Sequence, residues 1–557
     1  LTAKDNHNKS ISGYAKFTYS DGAGRRYFFI GTYSVIFPHN HYKMKKFILP
    51  LILAGVVTGA TAQQNQTAMK YAKIVSPELA KKHLSIIASD EYEGRETGKP
   101  GADKAAHYIA NEFKSLGLQP IVNGSYFFDV PLSEKTSKIA FTANGQSFES
   151  ANDFYAIKSV DEWAANASEI VFVGYGTEAE IGSTDLTGKV VLWVNEDKAA
   201  DGKPANTSFR GTAERAAILK NIIAKNPAVV LAANGEIADV LKKYKNYISA
   251  PRIGIKKDDA KPADKSAAVM WVTTAMADQL VKSTGKSYAD IKALGGNAQT
   301  IKADVKIDFK TESKDVKAVD VLGFLPGSDA KLKDEVLVIS AHYDHIGLNP
   351  DGKDKVNNGA DDDGSGTTAI MELARAFSQA KKDGHGPKRS ILFLGNVGEE
   401  KGLLGSEYYT DHPVIPLERT ITDLNIDMIG RIGYDYQGKP DSANNVYVIG
   451  SGMLSSDLRK VNENANNTYT KLDLDYKYDD PKDPNDFYHR SDHYNFAKHG
   501  VPIIFYFNGE HKDYHQPGDE VSKINFPLLA KRAQLVFYTA WDLANADKRP
   551  VVDGKVN

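Results

Sequence analysis

Cysteine is absent from all 557 residues. Its absence removes disulfides, thiolate metal sites and a cysteine nucleophile together. An excess of charge of one sign is also lacking: 69 Lys+Arg against 71 Asp+Glu leave a formal net charge of −2. The global balance therefore gives no case for nucleic acid or an anionic membrane surface as partner. Long apolar runs are missing too. Phe47–Val57 is interrupted by Pro50 and is too short to span a bilayer as a stable helix. Any metal site must be made from His, Asp and Glu, a nitrogen and oxygen shell that suits Zn²⁺ or a similar divalent ion. What remains, 41% hydrophobic and 25% charged residues, is ordinary for a globular chain, and the length calls for two or three domains.

The first methionine is Met44. Met44-Lys45-Lys46, the apolar run Phe47–Val57 and Ala60-Thr61-Ala62 supply the basic start, short apolar core and small-residue cleavage site of a secretory signal peptide. Residues 44–62 are expected to be that signal, and the protein to be exported, to a periplasm or beyond the cell, without stable membrane insertion. An export signal works at an amino end, so residues 1–43 are expected to be an upstream, non-native extension that makes no sense as structure.

Residues 76–118 carry two apolar stripes at helical spacing, Leu79/His83/Leu84/Ile87 and Ala106/Ile109/Ala110/Phe113. Between them lies the turn-rich connector Glu91–Gly98, which spacing leaves open as a surface loop or as a rim of the site. From 127 to 309 short β-rich runs and helices alternate without any cluster of ligand-type residues, as expected of a separate α+β domain inserted into a larger one. From Ala318 onward strands and helices alternate regularly, which means a mostly parallel sheet covered on both faces. The peptidic chain thus divides into a discontinuous domain, 70–126 with 310–547, and an insertion, 127–309.

The chemistry-bearing residues fall at the ends of the expected strands. His342 follows the run ending at Ser340, Asp362 lies in a glycine-bounded loop, Glu399 and Glu400 follow Ile391–Leu394, Asp427 follows Leu424-Asn425-Ile426, and His515 follows Val501–Phe507. Each has an ordinary reading by itself: a polar loop, an acidic helix cap, a helix start. Two histidines and three carboxylates on successive strand ends have the makeup of two divalent ions bridged by a carboxylate, about 3.5–4 Å apart, activating a water. The neighbouring glutamates allow one to bind metal while the other faces that water. Asp344, two positions after His342, is placed to fix the imidazole tautomer.

Ala341-His342-Tyr343-Asp344-His345-Ile346-Gly347, Gly359–Gly366, Gly398–Ser406, Asn425–Gly430 and Tyr514-His515 together strongly resemble metallopeptidase family twenty-eight, the co-catalytic zinc aminopeptidases. The resemblance implies a zinc-aminopeptidase-like α/β fold, a mostly parallel or mixed sheet with helices on both faces. It also implies two Zn²⁺ ions in a shell that would accept manganese or cobalt as well. His342 and Asp427 would bind one ion, Glu400 and His515 the other, and Asp362 would bridge them. Glu399 would be the general base, Asp344 would orient His342, and Tyr514 would hydrogen-bond the developing oxyanion. Asp492 and His493 read as structural or pocket-lining, and Arg431 as a salt-bridge residue. On looser grounds, its position and Phe172-Val173-Gly174-Tyr175-Gly176, the insertion resembles a protease-associated domain.

The implied activity is release of amino-terminal residues from peptide substrates, with no nucleic-acid partner. A carboxypeptidase or dipeptidase on the same metal core is the alternative within enzymes; acids facing a substrate amine, or basic residues facing its carboxylate, would separate them. A non-catalytic receptor-like binding protein and a single-zinc cyclotransferase are disfavoured by the complete set of five ligands with Glu399. Oligomeric state has no signature in the sequence.

Overall fold

The computed structural model describes residues 11–20 and 26–35 and, between 64 and 555, all but 159–161, 199–205, 210, 257–266 and 351. It divides into two units, Leu1–Thr61 and Ala62–Asn557. In the first, Ile11–Ser20 and Arg26–Val35 pair antiparallel, within the 1–43 segment that was expected to make no sense as structure. The expected signal peptide, 44–62, lies outside the described residues. Among the described residues no helix is long and apolar enough to cross a membrane.

The second unit contains two mixed sheets. One has the strand order Asp473–Asp475, Asn445–Ile449, Ile503–Phe507, Thr420–Ile426, Val336–His342, Ser390–Asn396, Val319–Leu325, Phe127–Asp129. Its four central strands, from Ile503–Phe507 to Ser390–Asn396, are all parallel. Antiparallel neighbours flank them on both sides.

The central strands are buried along their whole length, and residues 336–339, 391–394 and 503–507 read accordingly as apolar runs; Thr420–Ile426 instead interleaves Thr422, Asp423 and Asn425 with its apolar residues. Alternate side chains enter two different cores. Leu337, Ile339, Ile391 and Phe393 pack with the helices Pro77–Ile87, Pro100–Leu116, Gly364–Lys382 and Phe526–Asn545. Val336, Val338, Leu392 and Leu394 pack with Tyr409 and Phe496 of the short helices Leu404–Asp411 and His493–Lys498. The α/β architecture with helices on both faces is as expected.

The chain leaves Val336–His342 for Ser390–Asn396 on one side, then returns to Thr420–Ile426 on the other. That reversal opens a crevice at the carboxyl ends of the strands, the usual ligand position in open α/β sheets.

The second sheet has the order Arg252–Ile255, Leu132–Ala143, Gln299–Val316, Glu162–Phe172, Val190–Val194, Val229–Ala233, Ala268–Val272, Phe154–Lys158. Val316 pairs with Leu132, so the chain enters and leaves this domain side by side. Phe127–Asp129 pairs instead with Val319–Val321 of the first sheet. The sheets therefore change at 130–131 and 317–318, whereas the composition shift pointed to 127 and 309. The insertion's longest strand runs past Phe309, where its buried-exposed alternation ends, because it stays paired with the strand Leu132–Ala143 as far as Val316.

The larger core turns on Phe377, which is fully buried with Phe393, Phe537 and Trp541 around it. Phe377→Ala is expected to cost about 3–5 kcal/mol through lost burial and the cavity left behind. It should lower the urea midpoint of unfolding; an unchanged midpoint would contradict this packing.

Candidate metal centre

His342 is the last residue of its strand, and the single turn Glu399–Lys401 follows Ser390–Asn396 closely. Asp427 directly follows Thr420–Ile426. The next residue, Met428, has φ +58° and donates its N–H to Asp363 Oδ1 at 3.0 Å. His515 has φ +54°. Non-glycine residues held in this left-handed region cost about 1–3 kcal/mol each and gather at functional sites.

These elements bring the six expected residues together. His342 Nε2 lies 3.4 Å from Asp362 Oδ1, 3.6 Å from Asp427 Oδ1 and 3.8 Å from Glu399 Oε2. His515 Nε2 lies 3.1 Å from both Asp362 Oδ2 and Glu400 Oε2. Asp362 thus turns one oxygen to each imidazole. His342 is 1% exposed while the His515 side chain is 37% exposed, so one imidazole is covered and the other open to solvent.

The electrostatics report an excess of negative charge. Burial opposes an imidazolium at His515, yet the carboxylates of Asp362 and Glu400 beside it hold it up at about 10. Burial likewise opposes charge on His342, and Glu399 and Asp427 overcome it and raise the ring well above the ordinary histidine range. Glu399 is pushed up by burial and by Glu400 and Asp427, against the pull of His342. Asp362 Oδ2 and Asp427 Oδ1 are buried without a well-directed hydrogen bond; the 3.1 Å approach of His515 to the former is an ion-pair contact only. Buried carboxylate oxygens left without donors suit divalent cations, and a His and carboxylate donor set without sulfur suits zinc.

Two groups of one imidazole and two carboxylates gather within 4.8 Å: His342 with Asp363 and Asp427, and His345 with Asp362 and Glu400. His345 received no role from the sequence, although it stands in the same motif as His342. Its Nδ1 lies 2.9 Å from Glu400 Oε1, and the ring is fully buried. Asp363 Oδ1 is occupied by the N–H groups of Gly366 and Met428, and Asp361 Oδ1 by Ser365 Oγ and the N–H of Gly430. Both flanking aspartates therefore tie the loop down.

Asp344 acts differently from the simple expectation. The His342 Nδ1 hydrogen bond, 3.1 Å, is to the main-chain oxygen of Asp344, with the carboxylate 3.7 Å away. That carboxylate instead accepts Thr97 Oγ1 at 2.6 Å and the N–H of Glu399 at 3.2 Å. The connector Glu91–Gly98 is consequently neither a plain loop nor only a rim; it reaches the site's interior. Arg431 pairs with Asp513 at 2.7 Å, as a salt-bridge residue should. Ser491 donates to Asp427 Oδ2 at 2.7 Å, and His493 stacks on Phe505. Asp492 is fully buried.

A pocket of about 320 Å³ opens beside Asp362, Glu399 and Asp427. Met428, Phe487, Phe505 and Phe507 line it, with Arg490, Glu510 and Tyr514. Arg490 lies over the Phe487 ring and pairs with Glu510 at 2.9 Å; the Tyr514 ring stacks on His515.

Residues 320–540 match the family model described as peptidase family M28. Over 278 residues the chain is 29% identical to a protein named "Probable leucine aminopeptidase" from Arthroderma otae, covering 49% of this chain and 69% of that protein. A protein of the same name from Arthroderma benhamiae is 28% identical over 377 residues, 66% of this chain and 86% of its own. Aminopeptidase YwaD of Bacillus subtilis is 25% identical over 273 residues, 48% of this chain and 53% of its own, about half its length. In fold, the chain is similar to an aminopeptidase from Aneurinibacillus sp. strain AM-1, with a TM-score of 0.52 at 19% identity, over 88% of this chain and 98% of that one.

Zinc added at about 100 times its dissociation constant should stabilise the folded chain by about 2.7 kcal/mol, seen as a higher thermal midpoint. Asp362→Asn should remove most of that rise. A midpoint indifferent to zinc would exclude a cation at this cluster.

Proposed function

We propose that this chain, a metallo-aminopeptidase whose residues 320–540 match peptidase family M28, releases amino-terminal residues from peptides at a two-zinc centre. The observation that carries the proposal is Asp362, whose two oxygens face His342 and His515 separately. In this assignment His342 and Asp427 would hold one ion and Glu400 and His515 the other, with Asp362 shared. When bound, the two ions supply Lewis acidity to an attacking water and to the scissile carbonyl.

The other residues handle protons and position. Glu399 takes the proton of the attacking water and returns it to the leaving amine. Burial and its acidic neighbours raise its proton affinity, which suits both steps. Asp344 accepts the Glu399 N–H, so one residue anchors both His342 and the base. Burial, Asp362 and Glu400 keep the Tyr514 hydroxyl protonated, as a donor to the oxyanion must be.

The pocket favours an aminopeptidase over a carboxypeptidase or dipeptidase. Its single cation, Arg490, is already paired with Glu510, so the lining offers no free basic group to a substrate carboxylate. The Met428, Phe487, Phe505 and Phe507 wall suits an apolar first side chain. We read the insertion as protease-associated-like from its position between the helix Pro100–Leu116 and the peptidase sheet, and export from residues 44–62.

Glu399→Ala should retain zinc and lose about 10²–10⁴-fold in kcat; near wild-type turnover would overturn the base assignment. On substrates, leucine amide should be cleaved and its N-acetylated form resisted. Equal rates on both would turn the assignment away from an aminopeptidase.

A further inference from the structure

Asp362 projects from residues 358–363, a loop gripped by two groups outside the ligand set. Arg95 is 1% exposed and, among the described residues, has no carboxylate at ion-pair distance. Its guanidinium is spent on main-chain oxygens: Nε donates to Tyr343 O at 2.8 Å, Nη1 to Ile87 O at 2.9 Å and Asn358 O at 2.7 Å, and Nη2 to Gly359 O at 2.8 Å. It therefore joins the His342 loop to the Asp362 loop through carbonyls of both.

Asp519 grips the same loop by its amides. Its Oδ2 accepts the N–H of Asp361 at 2.9 Å and of Asp362 at 3.0 Å, and its main-chain oxygen accepts the N–H of Ala360 at 2.9 Å. Asp519 is fully buried, with Oδ1 3.4 Å from Arg431. Between these grips Gly359 has φ +58°, and a Cβ there would meet the His345 ring at 2.5 Å. The chain from 358 to 362 thus has a donor on its carbonyls, an acceptor on its amides and no room for a side chain at 359.

We propose that Asp519, working with Arg95, is the positioning residue for the carboxylate between the metals. It fixes the backbone of Asp362 through two amide hydrogen bonds, so that neither oxygen of the Asp362 side chain is needed to hold the loop. This rests on Asp362 being the bridging ligand. Partners of ligands at one remove typically change metal affinity by about 10–100-fold when lost, and the same range is expected for Asp519→Ala. Asp519→Asn keeps an oxygen able to accept both amides, and its affinity should stay within about threefold of wild type, well inside that range.

The test is competition for zinc between the full chain and a chromogenic chelator, with kcat and KM measured at saturating zinc. Support would be weakened zinc binding in Asp519→Ala and its recovery in Asp519→Asn, with kcat following the same order and KM little changed. Wild-type zinc affinity in Asp519→Ala would overturn the proposal. So would equal losses in both variants, since charge rather than amide acceptance would then matter. Should Asp519→Ala not fold, Asp519→Glu decides: it keeps the charge but displaces the oxygens, so zinc must bind more weakly, and wild-type affinity would overturn the proposal. Asp362→Ala serves as reference. If it loses zinc while Asp519→Ala does not, only the positioning role fails; if it binds zinc normally, the bridging assignment fails and the positioning role with it.

Discussion

Acidic side chains are packed at the carboxyl ends of one sheet more densely than the surrounding cations can balance, and much of the structure answers to that constraint. Asp344, Asp361, Asp362, Asp363, Asp427 and Asp519 are all buried there, with Glu399 and Glu400 beside them. Desolvated carboxylates need partners, because an uncompensated buried charge costs several kcal/mol. The same carboxylates raise the proton affinity of His342 and His515 against the opposing effect of burial. Protons and metal ions therefore compete for this site, and loading it releases protons.

The fold explains why the acids collect there. The central strands are buried on both faces, so polar groups within them are spent on one another, as Asp423 and Asn425 are with Ser340, and those left to meet a ligand stand at the strand ends. Reversal of strand order around Val336–His342 makes those ends diverge, and the crevice takes His342 from one strand, Glu399 and Glu400 from a second and Asp427 from a third. Residues distant along the chain become neighbours for this reason. The apolar runs that identify the strands and the acids that identify the site are two consequences of one arrangement.

What the sequence disclosed follows the same division. Side chains that meet a ligand leave a mark in residue type and order: His342, Asp362, Glu399, Glu400, Asp427 and His515 were all recognisable as strand-end groups, and they do converge. Residues that act on backbone leave none. Arg95 bonds only carbonyls and Asp519 mainly amides, and any buried arginine or aspartate would look the same along the chain. Thr97 touches Asp344 across 247 positions, so its connector stayed open between two readings. His345 was in plain view, three residues after His342, but its contact with Glu400 depends on how two loops meet. The insertion boundary was not legible: strict buried-exposed alternation runs from Ile301 to Phe309 and stops, while the strand continues to Val316 on backbone pairing with Leu132–Ala143, which leaves no mark in residue type. Phe127–Asp129 could not be assigned, since three residues carry no period.

The two halves of the cluster are not equivalent, and that asymmetry bears on how a substrate arrives. His342 and Asp427 lie beneath the sheet end, backed by Ser491 and the Asp344 main chain. His515 lies on the loop after the last strand, over a third exposed, with Tyr514 stacked against it and the apolar pocket alongside. The pocket nevertheless reaches the cluster beside Glu399 and Asp427 as well, with Tyr514 on its wall. In the proposed reading, a peptide entering it would set its first side chain against Phe505 and Phe507, with Glu399 and Tyr514 near the reacting carbonyl. The covered imidazole of His342 and the exposed imidazole of His515 meet at Asp362, whose loop Arg95 and Asp519 hold through its backbone.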